Sequence, residues 1–253
     1  MKRTVLTQNQ LSILEEALLR FGDVVTFNNL AELLSDKSDG YKRTFVKGLA
    51  DAGWLVRIKR GLYQIAEMSS LGTLSLSRLV IAQILLPESY VSFEAALQYW
   101  GLHDQLMGTV SSVALQQYGP AQVEKTRYRY VKTSAAYFYG WQTVEIGQRQ
   151  VRVALPEKAL IDMVQFHRSA LSLSLVAEKL SVFQYQIDFE KLEEFLLRAN
   201  LTALRVFGHL LDQGSLDTSR LWARSSESTS VSKATRQSAK YDAQWRLYHA
   251  NST

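Results

Sequence analysis

Apolar residues recur at helical spacing in the first part of the chain. The first run follows Thr7 and Gln10, which form a capping-box pattern, and it stops at Gly22. A second, shorter helix is predicted after Thr26, because a threonine directly before an apolar run is a preferred N-cap.

A third helix is predicted to begin at Ser38 or Asp39, inside the polar turn SDKSDG. Its residues Tyr41, Phe45 and Leu49 are spaced four apart, so they share one helix face. We expect that face to point into the core.

The pattern then changes from a helical period to that of a β-strand. In residues 54–59, one apolar set (Trp54, Val56, Ile58) alternates with a second set (Leu55, Arg57, Lys59), which is the two-residue period of a strand. Gly61 can adopt the positive φ of a tight turn, and residues 62–66 are predicted to form the return strand. Three helices followed by a two-stranded wing predict a winged helix-turn-helix domain over residues 1–66.

The remaining pattern predicts a larger mixed domain over residues 75–214, after a linker at 67–74. Residues 109–155 are rich in β-branched and aromatic residues and predict four or five short, mostly antiparallel strands. Pro156 is suited to the first turn of a helix, and further amphipathic helices follow. The predicted fold class is therefore α+β, with a mostly antiparallel sheet flanked by helices. Residues 215–253 are Ser-rich and basic, and we expect a mobile tail.

Composition narrows the classes of function. The 253 residues include no cysteine, which excludes disulfides, thiolate catalysis and cysteine-ligated zinc. No run approaches the roughly 20 apolar residues of a membrane span, and the first ten residues are not those of a signal peptide. We expect a cytoplasmic protein with no membrane partner.

The positive charge is concentrated in the first domain. The chain carries a net charge of +5, and residues 41–60 alone hold six cations and one acid, Asp51. The six predicted DNA-binding residues are Lys42, Arg43, Lys47, Arg57, Lys59 and Arg60. The first three would face the major groove from the third helix, while the wing cations contact phosphates. A basic face exposed only to water, or a protein-interaction module, is the alternative.

A second basic run lies on a predicted strand. Arg127 and Arg129 alternate with Tyr128 and Tyr130, which is compatible with a nucleic-acid surface that stacks bases on aromatic rings. The alternation by itself favours a simpler interpretation, in which the tyrosines point inward and the arginines point into water.

The sequence contains no phosphate-binding glycine loop and no G-x-S-x-G nucleophile motif. The four histidines are far apart in the sequence, so we predict no metal and no cofactor. Glu157, Lys158 and Asp162 begin a helix, and we expect the last two to pair on its surface. An enzyme acting on nucleotides or nucleic acid through Lys158, Asp162 and a histidine is the third and least favoured hypothesis.

Three segments in this order resemble the AbiEi family, whose members are antitoxins and transcriptional regulators of type IV abortive-infection toxin–antitoxin systems. The segments are RIKRGLYQI, YVSFEAALQYWGLHDQ and LPEKALIDMV, and the resemblance covers roughly residues 5–211. Where the family usually shows Ser-His-Glu, this chain has Phe93 in place of the histidine.

The resemblance implies a repressor whose winged helix binds inverted repeats of double-stranded DNA in its own promoter. It also implies a C-terminal domain with antitoxin activity, which counteracts a nucleotidyltransferase-like toxin without forming a stable complex with it. The DNA contacts it implies fall on the same six cations of the third helix and the wing. An alternative is that the chain neutralises a toxin by direct protein contact.

Overall fold

The structure is a computed structural model that describes residues 5–105, 107–214 and 216–249. The chain divides after Ile81 into two compact units. The fold is α+β, as the sequence predicts, with a helical N-terminal region followed by a larger domain built on a sheet.

The N-terminal unit contains the predicted helices and wing, together with one additional strand. Its elements are α1 (Gln8–Phe21), β1 (Val24–Thr26), α2 (Phe27–Leu33), α3 (Asp39–Ala52), β2 (Leu55–Lys59) and β3 (Leu62–Ile65). Capping boxes begin α1 at Thr7 and α2 at Thr26, and Ser38 is the residue that caps α3. The helix starts predicted from the sequence are therefore confirmed.

The wing belongs to a three-stranded antiparallel sheet with the order β1-β3-β2. Strand β1 pairs Val24 with Gln64 and Thr26 with Leu62. The sequence does not predict β1, because three residues are too few to show a period of two.

The core of this unit differs from the prediction at one position of α3. Phe45 and Leu49 are buried as expected, but Tyr41 is 43% exposed and stacks on the Phe45 ring. Val46 is buried in its place. The inward face is thus rotated toward position 46, because 3.6 residues per turn shift a strict four-residue spacing around the helix.

Residues 67–74 are tied to the N-terminal unit. The Gly72 N–H donates to the Gly53 carbonyl at 3.0 Å. The Gln64 side chain donates to Ser75 Oγ at 2.6 Å and accepts from the Ser75 N–H at 3.1 Å. The segment predicted as a linker is therefore anchored at both of these points.

The rest of the chain contains seven α-helices and nine strands among the described residues. They are α4 (Arg78–Leu85), β4 (Ser89–Val91), α5 (Phe93–Tyr99), β5 (Thr109–Ala114), β6 (Ala121–Val123), β7 (Thr126–Lys132), β8 (Trp141–Ile146), β9 (Arg149–Ala154), α6 (Pro156–Asp162), α7 (Ala170–Val182), α8 (Phe189–Arg198), α9 (Leu201–Gln213), α10 (Ser219–Ser226), β10 (Ser232–Lys233), β11 (Lys240–Asp242) and β12 (Leu247–His249). Helix α6 continues into a π-helical turn, Met163–His167.

A six-stranded mixed sheet with the order β6-β7-β5-β4-β9-β8 forms the centre of the larger unit. The β4–β5, β6–β7 and β8–β9 pairs are antiparallel, which confirms the mostly antiparallel prediction. The β5–β7 and β4–β9 pairs are parallel. Parallel partners need long crossover connections, so local sequence patterns do not reveal them.

An ion pair between Lys158 and Asp162 is completely buried, and the prediction of a surface pair is wrong. Both side chains are 0% exposed, because α6 packs against α5 and α8. Asp162 also accepts hydrogen bonds from Ser92 Oγ at 2.7 Å and from the Tyr90 hydroxyl at 3.0 Å. Burial raises the pKa of Asp162, and the opposing effect of Lys158 and the two hydroxyls is smaller. Gly140 has a φ of 78° and leaves room for the Lys158 stem.

The C-terminal segment is folded, so the prediction of a mobile tail is wrong for residues 216–249. It contributes α10 and a small sheet with the order β10-β12-β11. The buried guanidinium of Arg205 donates to the carbonyls of Ser225, Ser228 and Ser230, and to the hydroxyls of Ser225 and Ser232. A Ser-rich sequence is ordered here because its oxygens satisfy a buried cation.

The same segment is anchored by Trp245, which is completely buried against α9. Its indole Nε1 donates to Asp212 Oδ2 at 2.6 Å. A Cβ added to Gly208 would lie 2.3–2.5 Å from three atoms of the Trp245 ring, so only glycine permits this close approach.

Because the Lys158–Asp162 pair is buried, we expect the removal of one of its charges to lower the free energy of unfolding strongly. Asp162→Asn keeps the side-chain shape but leaves the Lys158 ammonium without a counter-charge, and should lower the free energy of unfolding by about 3–5 kcal/mol. Asp51→Asn is the matched control, because Lys47 and Asp51 have the same spacing and lie 2.6 Å apart but are 77% and 60% exposed. Urea unfolding of both variants compares the two losses of unfolding free energy, and equal values would contradict burial as the source of the larger loss.

Docking of the C-terminal segment predicts a second effect. Gly208→Ala forces Trp245 away from α9, and overpacking of this kind costs about 1–3 kcal/mol. Trypsin should then cleave after Lys233 and its basic neighbours at least about fivefold faster, since cleavage follows the open population. Gly119→Ala is the control, because its added Cβ meets nothing within 4 Å. Unchanged cleavage in Gly208→Ala would contradict the docking.

Candidate nucleic-acid interface

Helix α3 presents two cations on the face opposite its core contacts. Arg43 and Lys47 are four residues apart and exposed, whereas Phe45 and Leu49 are buried. Gly53 ends the helix in the left-handed conformation with a φ of 89°. The 14 residues of α3 span about 21 Å, at 1.5 Å per residue.

The wing holds its cations near a tightly fixed turn. Gly61 has a φ of 74°, and its carbonyl accepts the Phe27 N–H at 2.8 Å. The register shifts between Arg57 and Lys59, where Ile58 is buried and both cations are exposed. The side chains of β2 thus separate into an apolar inner set and a basic outer set.

A groove of about 710 Å³ lies between α3 and the wing. Four of the six predicted residues line it: Arg43, Lys47, Arg57 and Arg60. Two segments that are separate in the sequence therefore bring their cations to one concave surface.

The other two predicted residues do not line this groove. Lys42 is half-buried, with its Nζ 3.9 Å from Asp39 Oδ1, and it lies at a different angle around α3. Lys59 is exposed on the wing but outside the groove lining. For Lys42 the difference arises from the angle around the helix between positions 42 and 43, which the number of charges in the segment does not show.

The groove contains one acid as well as its cations. Asp51 Oδ2 lies 2.6 Å from Lys47 Nζ, and both groups are exposed, so the pair is weak. Within the described residues, Arg43, Arg57 and Arg60 form no ion pair. These three guanidinium groups keep their full charge available for an anionic partner.

Two aromatic residues of the groove were not predicted as site residues. Tyr63 lies opposite Arg57 in the β2–β3 pair, and Phe27 begins α2. The cross-strand position of Tyr63 is the signal that could have identified it, because directly opposed residues share one face of the sheet.

The secondary basic run on β7 adopts the simpler of its two predicted arrangements. Arg127 and Arg129 are exposed, whereas Tyr128 and Tyr130 are buried. The Tyr130 hydroxyl donates to the Ala82 carbonyl at 2.8 Å, and burial raises its pKa. The tyrosines are core residues and cannot stack on bases, while the two arginines remain accessible.

The other residues considered for catalysis or metal binding include Glu157 and His209, which form hydrogen bonds or close polar contacts within the protein. Glu157 is buried and accepts the Asp188 N–H at 2.9 Å. His209 Nδ1 lies 2.6 Å from Asp242 Oδ2, and its ring packs on His249 with centroids 4.3 Å apart. Among the described residues, no three His, Asp or Glu side chains are grouped closely enough to hold a metal ion.

The helices of the described residues include none with the length and apolar character needed to cross a bilayer.

Comparison with known proteins gives a fold relative. No protein-family model matches the chain, and no curated protein matches it. The chain is similar to the crystal structure of the RV2827C protein from Mycobacterium tuberculosis, with a TM-score of 0.65 and 17% sequence identity. The match covers 96% of this chain and 92% of that one, and at this identity it speaks to the fold alone.

Proposed function

We propose that this chain is a DNA-binding transcriptional repressor and antitoxin of a type IV toxin–antitoxin system. The observation that supports DNA binding is the basic groove between α3 and the wing, with Arg43, Lys47, Arg57 and Arg60 on its walls. Inverted repeats in the chain's own promoter are the proposed target.

The two walls of the groove make different contacts with DNA: α3 contacts base edges and the wing contacts phosphates. Arg43 and Lys47 project from α3, an element of the size that enters a major groove, and arginine can pair in bidentate fashion with guanine. Arg57 and Arg60 extend from the wing and neutralise phosphates, which supplies affinity without reading sequence. Lys42 and Lys59 add charge at the margin of this surface.

The antitoxin part of the proposal rests on the AbiEi resemblance of RIKRGLYQI, YVSFEAALQYWGLHDQ and LPEKALIDMV. Under this proposal the larger unit counteracts a nucleotidyltransferase-like toxin without a stable complex. Lys158 and Asp162, the pair considered for catalysis, are completely buried and so cannot contact a substrate.

A direct protein contact is the second candidate, and exposed apolar residues of the larger unit favour it. Leu171, Val182 and Tyr185 are 81%, 61% and 95% exposed, which is unusual for large apolar side chains near one helix. Co-purification of the untagged product of the adjacent gene with the tagged chain tests this candidate. A stable complex without any promoter binding would replace the repressor proposal.

Charge-neutral substitutions in the groove should have two distinct effects. Arg43→Gln with Lys47→Gln should remove roughly 1–3 kcal/mol from promoter binding per lost base contact, and less from binding to a shuffled duplex. Arg57→Gln with Arg60→Gln should weaken both duplexes equally and reduce the salt slope by about 2, since each phosphate contact contributes about 0.9. Fluorescence anisotropy over a salt series measures both.

The matched control for these pairs is Lys37→Gln with Lys240→Gln, which removes two exposed charges outside the groove. It should change promoter affinity less than either groove pair. If all three double variants bind the promoter like the unmodified chain, the α3–wing groove is not the DNA-binding surface.

The acid in the groove predicts a gain of affinity. Asp51→Asn frees Lys47 from its ion pair and removes a charge that repels phosphate, so DNA affinity should rise about two- to fivefold, the scale of an exposed pair. Asp36→Asn breaks the exposed Lys37–Asp36 pair, which does not line the groove, and should leave affinity unchanged. A decrease in affinity for Asp51→Asn would contradict the arrangement.

A further inference from the structure

The larger unit contains a second basic concavity, of about 630 Å³, that the DNA proposal does not use. It lies between the end of the π-helical turn and the segment around β10. The polar residues that line this second pocket include His167, Arg168, Ser169, Lys233, Thr235 and Arg236.

The charge of the second pocket is of one sign. Arg168, Lys233 and Arg236 line it, and none of the described lining residues is acidic. Within the described residues these three cations form no ion pair. The arginine–carboxylate contacts seen elsewhere in this unit, such as Arg220 with Glu193, have no counterpart here. A concave site that gathers only cations is suited to an anion.

The backbone on one side of the pocket has an unusual conformation. Arg168 has φ 40° and ψ 40°, which is the left-handed region that residues other than glycine rarely adopt. Ser169 follows and caps α7, with its Oγ accepting the Ser172 N–H at 3.0 Å. Backbone strain of this kind persists where the surrounding structure enforces it, and it is concentrated at ligand sites.

The histidine of the pocket is held rigidly. The His167 ring stacks on the buried Phe93 ring, with centroids 4.3 Å apart and an interplanar angle of 16°. Burial lowers the pKa of His167; the charge of Glu94 opposes this effect and that of Arg129 adds to it. The ring forms part of the pocket wall.

The other side of the pocket exists only because the C-terminal segment is docked. Lys233, Thr235 and Arg236 follow the serines that bind the Arg205 guanidinium. About 65 residues of sequence separate them from Arg168, so the two walls meet through tertiary packing. The hydroxyl group of Thr235 bonds to Ser238, which fixes this turn.

We propose that this second pocket binds the phosphate groups of a small phosphorylated ligand of nucleotide size. Three cations on opposite walls match the charge of a di- or triphosphate, and guanidinium groups bind phosphate oxygens in bidentate fashion. The volume lies in the range of roughly 300–1,000 Å³ that small-ligand sites occupy. The site is independent of the DNA-binding proposal, because its residues all belong to the larger unit.

Equilibrium dialysis of the full chain with labelled ATP tests the proposal, with tripolyphosphate as competitor. We expect saturable binding of one ATP per chain and displacement by tripolyphosphate. Lys233→Gln with Arg236→Gln should weaken ATP binding at least tenfold. Both side chains are exposed, so the variant should retain its circular dichroism spectrum and unfolding midpoint. Arg168→Gln, from the other wall, should act in the same direction.

Lys125→Gln with Lys132→Gln is the matched control, since it removes two exposed charges of the same unit outside the pocket. It should leave ATP affinity unchanged. Absence of saturable binding of both ATP and tripolyphosphate would overturn the proposal, as would equal affinities of the pocket and control variants. Loss of ATP binding in Arg57→Gln with Arg60→Gln alone would assign the ligand to the groove instead. The proposal would also be overturned if ATP does not bind and the binding of duplex DNA is lost in Lys233→Gln with Arg236→Gln.

Discussion

A cation can leave water only where the protein supplies acceptors for it, and this constraint organises the larger unit. Lys158 is buried because Asp162 lies beside it, and Asp162 in turn receives the hydroxyls of Tyr90 and Ser92. Arg205 is buried because serine carbonyls and hydroxyls surround its guanidinium. These two satisfied cations hold α6 to the sheet and the C-terminal segment to α9.

Other cations stay on the surface, and the fold gathers seven of them into two concave sites. In the N-terminal unit, α3 and the wing place Arg43 and Arg57 on facing walls of one groove. In the larger unit, docking of the C-terminal segment places Lys233 beside the turn that ends at Arg168. Because concave surfaces concentrate an electrostatic field, each site is more selective for an anion than scattered charge of the same amount.

Local signals predicted much of the N-terminal unit. The caps at Thr7, Thr26 and Ser38 and the glycine turn at Gly61 are short-range interactions, so a single sequence is enough to locate them. The candidate site was predicted in part. The concentration of cations in residues 41–60 identified those of the groove, but it also included Lys42, which lies outside the groove beside Asp39. Tyr63 was missed because its place in the groove depends on pairing with β2.

The sequence by itself determined the helix starts, the wing, the α+β class and the excess of cations in residues 41–60, since each depends on neighbours within a few positions. Only the tertiary structure decided which charges are buried. The spacing of Lys158 and Asp162 equals that of Lys47 and Asp51, yet one pair is fully enclosed and the other is solvated. Spacing sets which side chains can meet, whereas the packing of distant elements sets whether water reaches them.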